Sequence, residues 1–108
     1  MRRGDLVTIS LQGDYGKPRP ALVVQSDMFA DARSKTVLPL TSTLIDAPLI
    51  RVQIEPTSEN KLRAPSHVMI DKAATLPVDK LGPAFGTVDD ATMITVNRAL
   101  ALFLGLAG

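Results

Sequence analysis

Apolar and polar positions alternate through most of the chain. Residues 6–11, Leu-Val-Thr-Ile-Ser-Leu, are rich in β-formers and run into a glycine-bearing turn, which predicts a first strand. Residues 21–25, Ala-Leu-Val-Val-Gln, are apolar enough to be buried on both faces and predict a second. Residues 36–41 predict a third, in which Pro39 points to an edge position or a bulge, because proline cannot donate to a ladder. Residues 50–54 put Ile50, Val52 and Ile54 on one face, Arg51 and Gln53 on the other. Residues 66–71 alternate in the same way, which places His67, Met69 and Asp71 on one face. The polar, turn-rich stretch 56–65 between them predicts a mobile surface loop.

The period then changes. Met93, Val96, Leu100 and Phe103 or Leu104 recur at helical spacing, after Thr87 and Asp89 as N-cap candidates and before Gly105 as a stop. Asp89 and Asp90 also suit the positive end of the helix dipole. Residues 100–104 are apolar nearly all the way round, so either the chain's own sheet or a second subunit must cover them. Short strands followed by one helix predict a mainly β, α+β fold, a compact barrel with one packed helix. A length of 108 residues predicts a single domain, 1–108.

Composition narrows the chemistry. Charged residues are 21% and hydrophobic residues 45%, which is globular usage and argues against disorder. Cysteine is absent, which removes disulfides and thiolate chemistry, and a single histidine argues against a zinc site. The formal charge of +1 means that nucleic-acid binding requires a local basic patch. Arg2-Arg3 is followed by Gly4-Asp5 and not by an apolar signal core, and residues 99–107 are too short to span a bilayer. A cytoplasmic protein with no membrane partner is expected.

The densest local signal is Gly13-Asp14-Tyr15-Gly16-Lys17-Pro18-Arg19-Pro20. Each proline fixes its own backbone and pushes the residue before it toward extended geometry, so Arg19 is presented on a stiffened segment at the mouth of a strand. A surface ion pair suits such a residue. So does phosphate binding, since the guanidinium fork matches phosphate oxygens. Thr41-Ser42-Thr43 at the end of the third strand reads, from the residues alone, as turn chemistry, with a set of hydroxyl donors as the other reading. Tyr15 can stack on a base. Lys17, Arg33, Lys35 and Arg51 are candidate phosphate contacts, and Phe29 and Phe85 are expected in the core.

Arg3-Gly4-Asp5-Leu6-Val7, then Lys17 through Gln25, then Pro39-Leu40-Thr41-Ser42-Thr43, then Pro65-Ser66-His67-Val68-Met69-Ile70-Asp71 occur in an order and spacing that resemble the MazF/PemK toxin family. The resemblance covers essentially the whole chain. It implies an SH3-like small barrel of the MazF/Kid/CcdB type that works as a homodimer. It also implies the toxin of a type II toxin–antitoxin pair, a cofactor-free endoribonuclease acting on single-stranded RNA and neutralised by a cognate antitoxin with an acidic C-terminal segment. Arg19 matches the family's catalytic arginine and Thr41 its threonine at the end of the third strand, with Ser42 placed to assist.

Asp71 matches an aspartate that the plasmid-borne branch uses with an arginine two residues earlier. Here that position is Met69, so the pair is broken, and Asp71 equally suits a cap on residues 72–75. His67 is a further candidate, about 13 Å from Asp71 along an extended strand and so at a different nucleotide. On an RNA-binding reading, Tyr15, Lys17 and Arg51 are the expected RNA contacts, by residue type and position. Two other readings share the fold. A CcdB-like gyrase poison depends on a tryptophan-containing tail, and this chain has no Trp. A catalytically silent binding module would not need Arg19 and Thr41 together.

Overall fold

The protein was examined as a computed structural model, which describes residues 1–10 and 17–107; Tyr15 and the glycines flanking it lie outside that set. Among the described residues, seven antiparallel strands form one curved sheet: β1 Asp5–Ile9, β2 Arg19–Val23, β3 Ser34–Thr41, β4 Arg51–Ile54, β5 Ser66–Met69, β6 Ala74–Pro77 and β7 Gly86–Thr87. Their order is β4-β5-β3-β2-β1-β7, with β6 also paired to β3. The helix α1, Asp90–Phe103, ends the fold. The mainly β architecture with one C-terminal helix is as expected.

Register explains the two cores. Leu6 pairs with Leu22 and Leu22 with Leu38, while Leu40 pairs with Val68 and Val68 with Val52. Cross-strand partners share a face, so these residues form one apolar layer, which packs on Met93 and Val96 of α1. The alternate positions Val7, Ile9, Ala21, Val23 and Val37 form a second layer, closed by Leu76 and Leu81. The unbroken apolar run of β2 is therefore buried on both faces. Each fully buried Leu or Val contributes about 1.5–3 kcal/mol relative to an exposed one.

Several expectations need correction. Pro39 lies in a central strand. The Thr36 carbonyl accepts the Val24 amide at 3.1 Å, so even-numbered residues of β3 turn their backbone toward β2 and odd-numbered ones toward the opposite flank. On that flank the partner changes from β6, last paired at Val37, to β5, first paired at Leu40. The missing N–H of Pro39 falls in the gap.

The stretch 56–65 is not a loose loop. Asn60 is only 2% exposed. Its Oδ1 accepts the amides of Thr57 at 2.9 Å and Leu62 at 3.0 Å, and its Nδ2 donates to the Glu55 carbonyl at 2.9 Å. Leu62 reaches the main core. A Cβ on Gly86 would meet the Asn60 carbonyl oxygen at 2.4 Å, so β7 needs glycine to lie against this segment. Strand β5 stops at Met69, and Asp71 falls in a 3-10 turn, Ile70–Lys72, off the face it was expected to share with His67. Residues 74–77 are strand, so Asp71 does not cap a helical segment there. Phe29 is not in the core; it sits on a 3-10 turn and is 59% exposed. Phe85 does pack against the main core.

Helix α1 starts and stops as its sequence predicts. The Asp89 carboxylate accepts the Thr92 amide at 2.8 Å. At the other end Gly105 takes φ 75°, and the amides of Leu106 and Gly105 return to Ala101 and Leu102 at 2.8 and 3.2 Å, a Schellman closure. Leu102, Phe103 and Leu104 are left about half exposed, so the sheet does not cover the end of the helix. Among the described residues no helix is long and apolar enough to cross a membrane.

Candidate functional site

Because β2 and β3 are antiparallel, the start of one meets the end of the other. The register Ala21↔Pro39, carried two residues outward, sets Arg19 opposite Thr41. An open groove of about 860 Å³ lies there. Lys17, Pro18 and Arg19 form one wall, and Thr41 and Ser42 continue it. Lys61, Arg63 and Ala64 line it from the loop before β5. Leu40, Leu62 and Phe85 line it too, and all three belong to or pack on the main core. The lining holds four basic side chains and, among the described residues, no acidic one, although the chain as a whole carries only +1. This is a local basic patch on a chain that is nearly neutral overall.

The Thr41 hydroxyl accepts the Thr43 amide at 3.1 Å. That bond uses a lone pair of the hydroxyl and not its proton. Arg19 is half-buried, whereas Lys17, Ser42, Lys61 and Arg63 are exposed. Lys61 and Arg63 were missed in the sequence. The signal was Lys61-Leu62-Arg63: a leucine taken into the core between two cations turns both outward.

The other candidates lie elsewhere. His67 is the cross-strand partner of Thr41, yet it is only 6% exposed and does not line the groove. Its Nδ1 accepts the Ile45 amide at 3.5 Å, which leaves Nε2 to donate to Gln53 Oε1 at 3.2 Å. It holds the 42–50 connection against β5. Arg51 Nη1 donates to the Asp71 carboxylate and to the Ile50 carbonyl, so both charges are engaged away from the groove. Burial pushes the Asp71 carboxyl up, but hydrogen bonds from Arg51 and the backbone, with the charges of Arg51 and Lys72, outweigh it and hold its pKa below the ordinary value. Lys35 is buried and donates to the Phe29 and Ala30 carbonyls at 3.4 and 3.2 Å. Arg33 lies beside Asp31 and Asp79 in a separate depression. Among the described residues no three His, Cys, Asp or Glu side chains are grouped to hold a metal ion.

The chain is a small β protein: a curved antiparallel sheet closed by one C-terminal helix, with a cationic groove at the end of its central strands. The chain belongs to the family of PemK-like, MazF-like toxins of type II toxin–antitoxin systems, which it matches over residues 2–104. It is 46% identical over 109 residues to the probable endoribonuclease MazF of Mycolicibacterium smegmatis, covering 100% of each chain. Among solved structures, an endoribonuclease in complex with its cognate antitoxin from a mycobacterial species superposes with a TM-score of 0.84 at 29% identity, over 100% of this chain and 98% of the other. The Mycobacterium tuberculosis toxin MazF-mt6 has the same fold, with a TM-score of 0.81 at 24% identity over 96% and 99% of the two chains.

Proposed function

We propose that this protein is a cytoplasmic endoribonuclease toxin that cuts single-stranded RNA at preferred sequences without a metal ion. The observation that carries the reading is the groove itself: Arg19 and Thr41 at adjoining strand ends, lined also by Lys17, Lys61 and Arg63 and, among the described residues, by no acid. RNA supplies its own nucleophile. The 2′-hydroxyl gives up its proton and attacks the adjacent phosphorus, the bond to the 5′-oxygen breaks and that oxygen takes up a proton, so that a 2′,3′-cyclic phosphate and a 5′-hydroxyl result. Arg19 stabilises the charge that builds on the phosphorane oxygens, a role that suits a group which hardly deprotonates. Thr41 donates its hydroxyl proton to a non-bridging oxygen, and Ser42 adds a second donor. Lys17 holds the strand.

Two partners go with this reading. A second copy covers the apolar end of α1. A cognate antitoxin blocks the groove with an acidic segment that folds on binding, as charge complementarity favours. The mycobacterial neighbour in complex with its antitoxin supports that expectation.

The test is incubation of purified protein with a single-stranded RNA in EDTA, followed by analysis of the product ends. Cyclic phosphate and 5′-hydroxyl termini are expected, with duplex RNA resistant because in-line attack needs a splayed backbone. Cleavage that appears only on adding a divalent metal overturns the mechanism.

A further inference from the structure

We propose that Lys61 and Arg63 form a second phosphate-binding wall, which engages a phosphodiester flanking the scissile one and so fixes the strand in the groove. This rests on the reading of the groove as an RNA-cleavage site, and it assigns a role to residues outside the reacting pair.

Three observations carry it. Both side chains line the groove that Arg19 and Thr41 also line, with apolar Leu62 and Phe85 in the lining as well. A base can rest on that apolar surface while its flanking phosphates meet cations. The segment is also preorganised. Asn60 ties Glu55, Thr57 and Leu62 together, and Leu62 is anchored in the core, so the cations on either side of it are mounted on a fixed support. Finally, Lys61 has φ 56°, the only positive φ at a non-glycine among the described residues. Glycine would take that conformation without strain. Backbone strain of this kind persists where the surroundings hold it, and it gathers at ligand clamps. A lysine kept where glycine fits better points to use of its ammonium group.

That conformation provides the experiment. Lys61→Gly removes the cation and relieves the backbone, so thermal melts should show stability equal to or above the parent. Lys61→Arg should retain binding. Arg63→Gln removes the second cation. Binding is measured with a short RNA carrying a 2′-O-methyl group at the cleavage position, from low to moderate salt, beside single-turnover cleavage of the unmodified RNA.

Each lost phosphate contact should flatten the plot of log K against log salt by about 0.7, which is about fivefold in affinity at 0.1 M salt. The Lys61→Gly/Arg63→Gln double variant should lose about twice that slope. The effect should fall on half-saturating enzyme concentration more than on the maximal rate, and equally on RNAs of different sequence, since phosphate contacts position without specifying. Unchanged salt slopes overturn the proposal, as does a loss confined to the maximal rate. A parent protein that binds RNA but does not cut it refutes the proposed function while leaving the wall testable by binding alone.

Discussion

Proline on both sides of Arg19 removes much of the freedom that a strand-leading residue would otherwise keep, and partial burial restricts the side chain further. Arg19, which lines the groove, therefore has little conformational freedom left to lose there. Arg19→Ala should lower single-turnover cleavage several hundredfold, about 3–4 kcal/mol, while melting temperature and most RNA affinity survive. Arg19→Lys should not restore the rate, because a point charge does not reproduce the fork. Thr41→Ala should cost less, a neutral hydroxyl being the weaker donor. Parent-like cleavage by Arg19→Ala would remove Arg19 from the site; loss of the folded state would make its role structural.

The strand-end positions of Arg19 and Thr41 were legible from the turn residues that bracket them, whereas their pairing came only from the family resemblance. His67 was not, since what buries it is the 42–50 connection, whose path no local pattern reveals. Tyr15 lies outside the described residues.

At the scale of elements, apolar and alternating runs located β1 to β5, and helical spacing with an Asp cap and a Gly stop located α1. Strand β6, as long as β4 and β5, was not seen because it offers one large apolar side chain, Leu76, and ends in proline, and β7 has only two residues. The 56–65 segment was misjudged for a different reason: its order comes from one buried asparagine whose partners are set by three-dimensional closure.

The Arg51–Asp71 pair is another such tie, fastening the 3-10 turn after β5 to β4. It predicts a pH effect of known sign. A carboxyl held below its ordinary value of 3.8 stabilises the fold above that value, and the contribution is lost as pH falls through the lower, folded-state value. Asp71→Asn should therefore melt lower than the parent at neutral pH. The gap should narrow in melts taken below about pH 4. A gap that stays constant with pH would mean that the pair's charge contributes nothing.

For the molecule as a whole, the distribution of apolar surface is the main result. Ile94, Leu102, Phe103, Leu104 and Leu106 stay substantially exposed along and beyond α1, as do Leu44, Ile45 and Leu49 after β3. The sequence left open whether the tail is covered by its own sheet or by a second subunit, and intramolecular packing accounts only for Met93, Val96 and, in part, Ala99 and Leu100. A two-fold dimer is the commonest closed assembly and would cover such a surface with itself. Sedimentation at micromolar concentration should show a dimer, and Phe103→Glu should shift it toward monomer and reduce cleavage. A parent that sediments as a monomer would contradict the assignment of this face.

Leu40 and Leu62 belong to the core and to the groove at once, and Phe85 rests on the one while lining the other. Among the described residues, this part of the groove therefore cannot loosen while the core stays intact. If the groove cuts RNA, harm to the cell requires the folded state: a newly made or damaged chain that has not closed its core has no surface on which to hold a substrate. The same sharing constrains change over evolutionary time. Substitutions that reshape the lining at these positions act on stability as well, whereas the exposed cations around it can be exchanged at little cost to the fold. Altered RNA preference is therefore most accessible through the walls of the groove.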